Sequence, residues 1–228
     1  MDYIYASNRP WTINAFLEDR HLLHGNWLVV SNTDDLKRAL SVTQPRYIFF
    51  PHWSELVPAE ITEKYDCVCF HMTDVPFGRG GSPLQNLIKK GFKVTKLTAL
   101  KMEEKLDTGP VYKKDELNLD GTAEQIFTRM AKLALKQMQH IIENNPKPIE
   151  QSIEKKENFK RRSHSDSEIS REQSIEELFD HIRMLDAPGY PKAFLNKRGF
   201  NFEFDNASWS DAGMVLNANV KITKATIG

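Results

Sequence analysis

Two residues of this chain, His71 and Asp107, have the types and surroundings that suit proton transfer. His71 closes a short apolar run and opens His71-Met72-Thr73-Asp74-Val75-Pro76-Phe77-Gly78-Arg79-Gly80-Gly81-Ser82-Pro83, so a titratable ring stands at a strand end beside a glycine-rich turn. Asp107 stands in a second polar turn, Leu106-Asp107-Thr108-Gly109-Pro110. A carboxylate brought against an imidazole orients the ring and stabilises its charged form, the arrangement of general acid–base catalysis. A lone histidine at such a position is more often a surface or core side chain, and the aspartate on a comparable turn is what favours chemistry. Asp74, three residues from His71, either competes as the acidic partner or braces the loop. The Gly78-Arg79-Gly80-Gly81 turn lacks the Lys-Ser/Thr ending of a phosphate loop, so it reads as a place where backbone approaches a ligand. Cys67 and Cys69 are two apart on one strand, which suits neither a disulfide nor, without further ligands, a zinc site. They read as reduced, buried small hydrophobes, with Cys69 the less settled of the two.

The elements that must position these residues follow from the hydrophobic pattern. Tyr3 to Ala6, Trp27 to Val30, Tyr47 to Phe50 and Asp66 to Phe70 read as short apolar strands. Helices are expected between them, at Trp11 to Glu18, after Asn32 and after Pro58. That alternation argues an α/β fold with a mostly parallel sheet and helices on its faces, whose ligands bind outside the carboxyl ends of the strands. His71 lies at such an end. From Gly91 to Asn118 strands follow without helices, with Asp107 on the turn between them. Thr122 with Gln125 forms a capping box before a helix burying Ile126, Met130, Leu133, Met138 and Ile141 and ending before Pro146. Ser174 with Glu177 opens another helix, ended by Pro188-Gly189. Phe200, Phe202 and Phe204 then alternate in an edge-like strand that the tail from Val215 to Ile222 can join. Those phenylalanines suit either a homodimer contact or packing on their own domain. The domain reading is 1–150 catalytic, 151–173 a polar loop containing Lys155-Lys156 and Lys160-Arg161-Arg162, and 174–228 a helix and β-rich extension.

Composition narrows the partners. Thirty-one basic and thirty-one acidic residues among 228 give zero formal charge. Phosphate contacts dominate nucleic-acid affinity, so the balance disfavours such a partner. The start, Met1-Asp2-Tyr3-Ile4-Tyr5-Ala6, is too short and acidic for a signal peptide, and no window approaches the ~20 apolar residues of a membrane span. A cytoplasmic protein with no membrane partner and no metal is expected.

His71, Pro76, Arg79-Gly80, Pro83 and the later Asp107-Thr108-Gly109 together resemble the formyltransferases that use N10-formyltetrahydrofolate, a family including methionyl-tRNA formyltransferases and sugar N-formyltransferases. Its pattern is Asn-x-His, Leu-Pro, Arg-Gly and Pro, then Asp-x-Gly. The resemblance covers roughly residues 47 to 195, includes the segment Arg183 to Pro191, and departs at Cys69, which takes the place of the Asn. It implies a Rossmann-like formyltransferase domain that passes a formyl group to a primary amine. His71 would deprotonate the amine or stabilise the oxyanion, and Asp107 would hold His71 and relay the proton. Cys69 is a much weaker donor than Asn, so a backbone amide, Thr73 or a water would bind the formyl oxygen. The loops implied to line the folate pocket contain His52, Trp53 and Ser54, and Leu106 with Asp107; Trp53 either covers the pteridine or plugs the core. Arg9, Thr73, Arg79, Gly80 and Pro83 would face the acceptor, with Arg161-Arg162 further candidates for its phosphates. The family's tRNA enzymes carry an extra carboxyl-terminal barrel, and this chain ends after a few strands. With the zero charge, that favours a nucleotide-linked amino sugar, and Cys69 with the short amino-terminal half points to the branch for formylated pseudaminic-type acids. The alternatives are a methionyl-tRNA formyltransferase-like enzyme, a formyltetrahydrofolate hydrolase, or a weakened folate-binding protein.

Overall fold

A computed structural model describes residues 1–154, 156–210 and 214–224. Lys155, half of the Lys155-Lys156 pair, lies outside the described residues, as do the last four residues of the expected extension. In chain order the elements begin β1 (Asp2–Ala6), α1 (Pro10–Asp19), β2 (Asn26–Val30), α2 (Thr33–Val42), β3 (Tyr47–Phe50), α3 (Ala59–Lys64) and β4 (Cys67–His71). They continue through β5 (Arg79–Gly80), α4 (Pro83–Lys89), β6 (Val94–Lys101), β7 (Val111–Asn118), α5 (Ala123–Asn144) and β8 (Asn158–Phe159). Last come α6 (Ile175–Arg183), β9 (Ala193–Lys197), β10 (Phe200–Ser210) and β11 (Val215–Lys224).

The chain divides into two compact units. The first comprises residues 1–83, 94–117 and 127–159 and holds a six-stranded sheet in the order β2-β1-β3-β4-β6-β7. β1, β2, β3 and β4 pair in parallel, each joined to the next through a helix, and β6 reverses direction against β4. A parallel pair needs such a crossover, which is why the apolar runs alternate with helical segments. β3 is buried at all four positions, as a strand covered on both faces must be. One packed cluster joins Ile4, Ala6, Val30, Leu36, Ile48, Phe50, Val57, Ile61 and Cys67, with Trp53, Cys69 and Met102 against its margin. α2 starts where Asn32 predicts: its side chain accepts from the Asp35 N–H at 2.8 Å, satisfying one orphan donor of the first turn. α5 turns Phe127, Met130, Ala134, Met138 and Ile141 inward at helical spacing.

The second unit comprises residues 84–93, 118–126 and 160–228. Its three-stranded sheet runs β11-β10-β9, antiparallel throughout. Phe202 lies opposite Ile222 and Phe204 opposite Val220, so the alternating phenylalanines pair with the tail as expected. The Ser174–Glu177 capping box is formed in both directions at the start of α6. The stretch read as a polar loop carries β8, a 3-10 turn at His164–Ser167 capped by Ser163, and residues of both units. Two-residue strands have no period to detect, so β5 and β8 leave no trace in the pattern. Among the described residues no helix is long and apolar enough to cross a membrane.

Candidate active site

Cys69 and His71 occupy alternate positions of β4, so their side chains leave the same face of the sheet. Between β6 and β7 the chain folds back on itself, closed by Lys101 N–H donating to the Pro110 carbonyl at 2.9 Å, and this turn carries Asp107 to that face. Gly109 allows the return: a Cβ there would sit 2.0 Å from the Lys101 carbonyl oxygen. That close approach gives the Asp-x-Gly spacing a physical reason.

His71 is only 7% exposed. Its Nδ1 lies 3.5 Å from Asp107 Oδ2, and its Nε2 lies 2.8 Å from the Gly78 carbonyl oxygen. Both ring nitrogens therefore face oxygen acceptors, and the ring donates to both only when it carries two protons. Asp107 Oδ2 also accepts from the Gly80 N–H at 2.9 Å, which ties the aspartate turn to the glycine turn. Asp107 itself has φ 56°, a left-handed conformation that aspartate tolerates better than most side chains. The glycine turn is held in place by the β5–β8 pairing, Arg79 with Asn158 and Gly80 with Phe159, and the Val75–Pro76 peptide within it is cis. Thr73 is buried, with its hydroxyl donating to Gly78 O at 3.4 Å and its carbonyl accepting from Thr98 at 2.7 Å. Burial, with the Asp107 charge adding to it, pushes the Cys69 thiol well above its ordinary range, so it stays protonated and a weak donor.

The structure thus brings His71, Asp107, Thr73, Arg79 and Gly80 together. Asp74 takes the other of its two readings: it pairs with Lys114 at 2.5 Å and braces the loop. Leu106 sits beside Asp107 and is 71% exposed, open to a ligand. Pro83 begins α4, and Ser54 is exposed. His52 belongs to a different grouping, with its ring 5.3 Å from that of Trp11 and 4.7 Å from that of Phe127. Its Nδ1 accepts from the Trp11 indole at 3.3 Å, while burial and then the Arg9 charge lower its pKa to about 3, so the ring is neutral. Arg9 stands over Trp11 at 6.0 Å. Trp53 packs edge-on against Phe50 at 5.6 Å, and its buried indole N–H has no hydrogen-bond partner among the described residues. Gln151, which nothing in the sequence singled out, donates from Nε2 to the carbonyls of Asp107 and Gly109 at 2.9 and 2.7 Å and accepts from Arg79 through Oε1. Among the described residues no three His, Cys, Asp or Glu side chains converge as a metal site would need.

Comparison with known proteins gives the family. A solved structure described as methionyl-tRNA formyltransferase from Clostridium thermocellum is 39% identical, covering 99% of this chain and 100% of that one, with a TM-score of 0.93. The chain belongs to the formyltransferase family. Residues 164–223 match the family model of the methionyl-tRNA formyltransferase C-terminal domain. Methionyl-tRNA formyltransferase of Bacillus subtilis (strain 168) is 28% identical over 180 residues, 75% of this chain and 56% of the relative. The chain therefore spans about half the length of the curated relatives it matches. A structure of HypX from Aquifex aeolicus in complex with tetrahydrofolic acid shares the fold at 17% identity, with a TM-score of 0.73 over 93% of this chain and 40% of that one.

These likenesses correct two expectations about partners. The nucleotide-linked amino sugar, with its pseudaminic branch, is overturned, because the formyltransferases matching this chain at 28% and 39% identity are named for methionyl-tRNA. The argument from a missing carboxyl-terminal domain fails, since the last strands match the model of that very domain. The exclusion of nucleic acid falls with it. A net charge of zero sums the whole surface, whereas phosphate contacts depend on where individual lysines and arginines sit.

Proposed function

We propose that this chain transfers the formyl group of N10-formyltetrahydrofolate to the amine of methionyl-tRNA, with His71 and Asp107 as its acid–base pair. The observation that carries the reading is the likeness, over 99% of this chain, to the Clostridium thermocellum structure described as a methionyl-tRNA formyltransferase. The buried His71–Asp107 pair supports it with groups able to take up the proton an attacking amine must lose. The formyl donor supplies the carbon that the amine attacks. His71 takes the amine proton, Asp107 stabilises the charged ring, and the proton then passes to the departing folate nitrogen. For an amine to reach Nε2, the ring exchanges its Gly78 contact for the substrate.

The residues fit a folate. Trp53 and Cys69 share the margin of one cluster, so the loop after β3 borders the face of β4 that bears His71. The buried Trp53 N–H has no hydrogen-bond partner among the described residues, and Leu106 leaves apolar surface beside Asp107. Incubation with N10-formyltetrahydrofolate and charged methionyl-tRNA, followed by chromatography of the released amino acid, should yield N-formylmethionine. Folate binding without any formylated product, or release of free formate in its place, would refute the reading.

A further inference from the structure

We infer that Gln151 is a positioning residue for the reaction, acting through Asp107; the inference rests on the proposed formyl transfer. Asp107 is held from the side-chain end by the Gly80 N–H and His71, but its backbone is in the left-handed region, where a turn needs support to persist. Gln151 supplies that support. Its Nε2 donates to the carbonyls on either side of Thr108, at 2.9 Å to Asp107 and 2.7 Å to Gly109, so one amide clamps both halves of the turn. Its Oε1 accepts from Arg79 Nε and Nη2 at 3.1 and 2.6 Å, which fixes the amide's orientation by a bidentate donor. The side chain thereby links the strand paired against β8 to the turn that carries the carboxylate.

The chain is delivered to this position by a backbone bridge. Val111 and Ile149 exchange N–H···O bonds of 2.8 and 2.9 Å, anchoring the segment just before Gln151 beside the start of β7. Within the turn, Thr108 bonds locally, its hydroxyl donating to the Lys105 carbonyl at 2.9 Å. The position of Asp107 relative to His71 therefore depends on a side chain from a distant part of the sequence. A displacement of the carboxylate by about 1 Å costs on the order of 100-fold in rate.

Two variants separate the clamp from the arginine contact. Gln151→Glu keeps an acceptor for Arg79 but sets a carboxylate oxygen against the two carbonyls; Gln151→Met removes both contacts at similar size. If Gln151 holds the Asp107 turn, both variants lower kcat by about 10- to 100-fold and leave KM for the formyl donor within about twofold. Added to Asp107→Asn, Gln151→Met then lowers kcat by less than about twofold further, because the two act as one unit. Wild-type kcat in Gln151→Glu, or full additivity with Asp107→Asn, would overturn the inference. A second readout needs no turnover: nitrogen-15 NMR of the His71 ring should show the Nδ1 resonance move in Gln151→Glu and Gln151→Met as it does in Asp107→Asn. If the Nδ1 resonance stays unmoved in both variants while the wild type transfers formyl, the clamp alone is refuted. If it moves in the variants while the wild type transfers none, the clamp is supported and the reaction is refuted.

Discussion

At the residue scale, the Asp107 carboxylate and backbone make separate demands, and one substitution distinguishes them. Asparagine adopts the left-handed backbone of residue 107 as readily as aspartate and keeps its size, while removing the charge. Asp107→Asn should therefore leave the urea midpoint nearly unchanged and lower kcat for formyl transfer by about 10²- to 10⁴-fold, the usual weight of an acid–base group. Wild-type turnover in a purified, folded variant would remove Asp107 from the mechanism. His71 and Asp107 were legible in the sequence because a histidine, two glycine-bearing turns and a proline at fixed spacing make a pattern. Gln151 was not, since one glutamine in a polar run has neither period nor motif, and its partners are set by folding. The surroundings of His52 were likewise hidden in the sequence: only folding brings the Trp11 indole and Phe127 against this ring.

At the element scale, the turn between β4 and α4 depends on Gly80, whose φ is +109° and whose added Cβ would lie 2.3 Å from the Phe159 carbonyl oxygen. Gly80→Ala has to break the β5–β8 pairing or strain it, and should lower unfolding stability by about 1–3 kcal/mol in urea melts, with formyl transfer lost alongside. An alanine variant of wild-type stability and rate would show that the turn tolerates the methyl. A milder change tests the helix start: Asn32→Ala removes the acceptor for Asp35 N–H and should destabilise the protein by about 1 kcal/mol. The central strands β1, β3 and β4 were readable because burial on both faces forces continuous apolar runs. The grouping of residues 84–93 and 118–126 with the C-terminal strands was not, because it arises from tertiary contacts between segments far apart in sequence.

At the scale of the whole molecule, each unit contains a histidine held neutral, and acid should weaken both. Burial lowers His52 to about 3, and burial with the charges of Arg162 and Lys89 lowers His181 to about 4. The unfolded chain protonates these rings near pH 6.5, whereas the fold does not until much lower pH. Below 6.5 the unfolded state binds more protons, so stability falls as pH drops from about 6.5 towards 4, by at most about 1.4 kcal/mol per pH unit for each histidine. The lowered carboxylates, Asp2, Asp35 and Asp166 among them, lose their contribution only as pH falls further, below the carboxylate range. Urea midpoints measured between pH 7 and pH 4.5 should show the slope, and His52→Gln with His181→Gln should flatten it; an unchanged slope in the double variant would refute this account.

The pairing of β5 with β8 bears on how the protein is made. Translation releases His71 first and Asp107 soon after, yet the strand that fixes the glycine turn and the amide that clamps the aspartate turn emerge only with residues 151–159. Closing so long a loop is entropically costly and comes late. A nascent chain stalled before Gln151 would therefore already contain His71 and Asp107 without the contacts that hold their two turns in place.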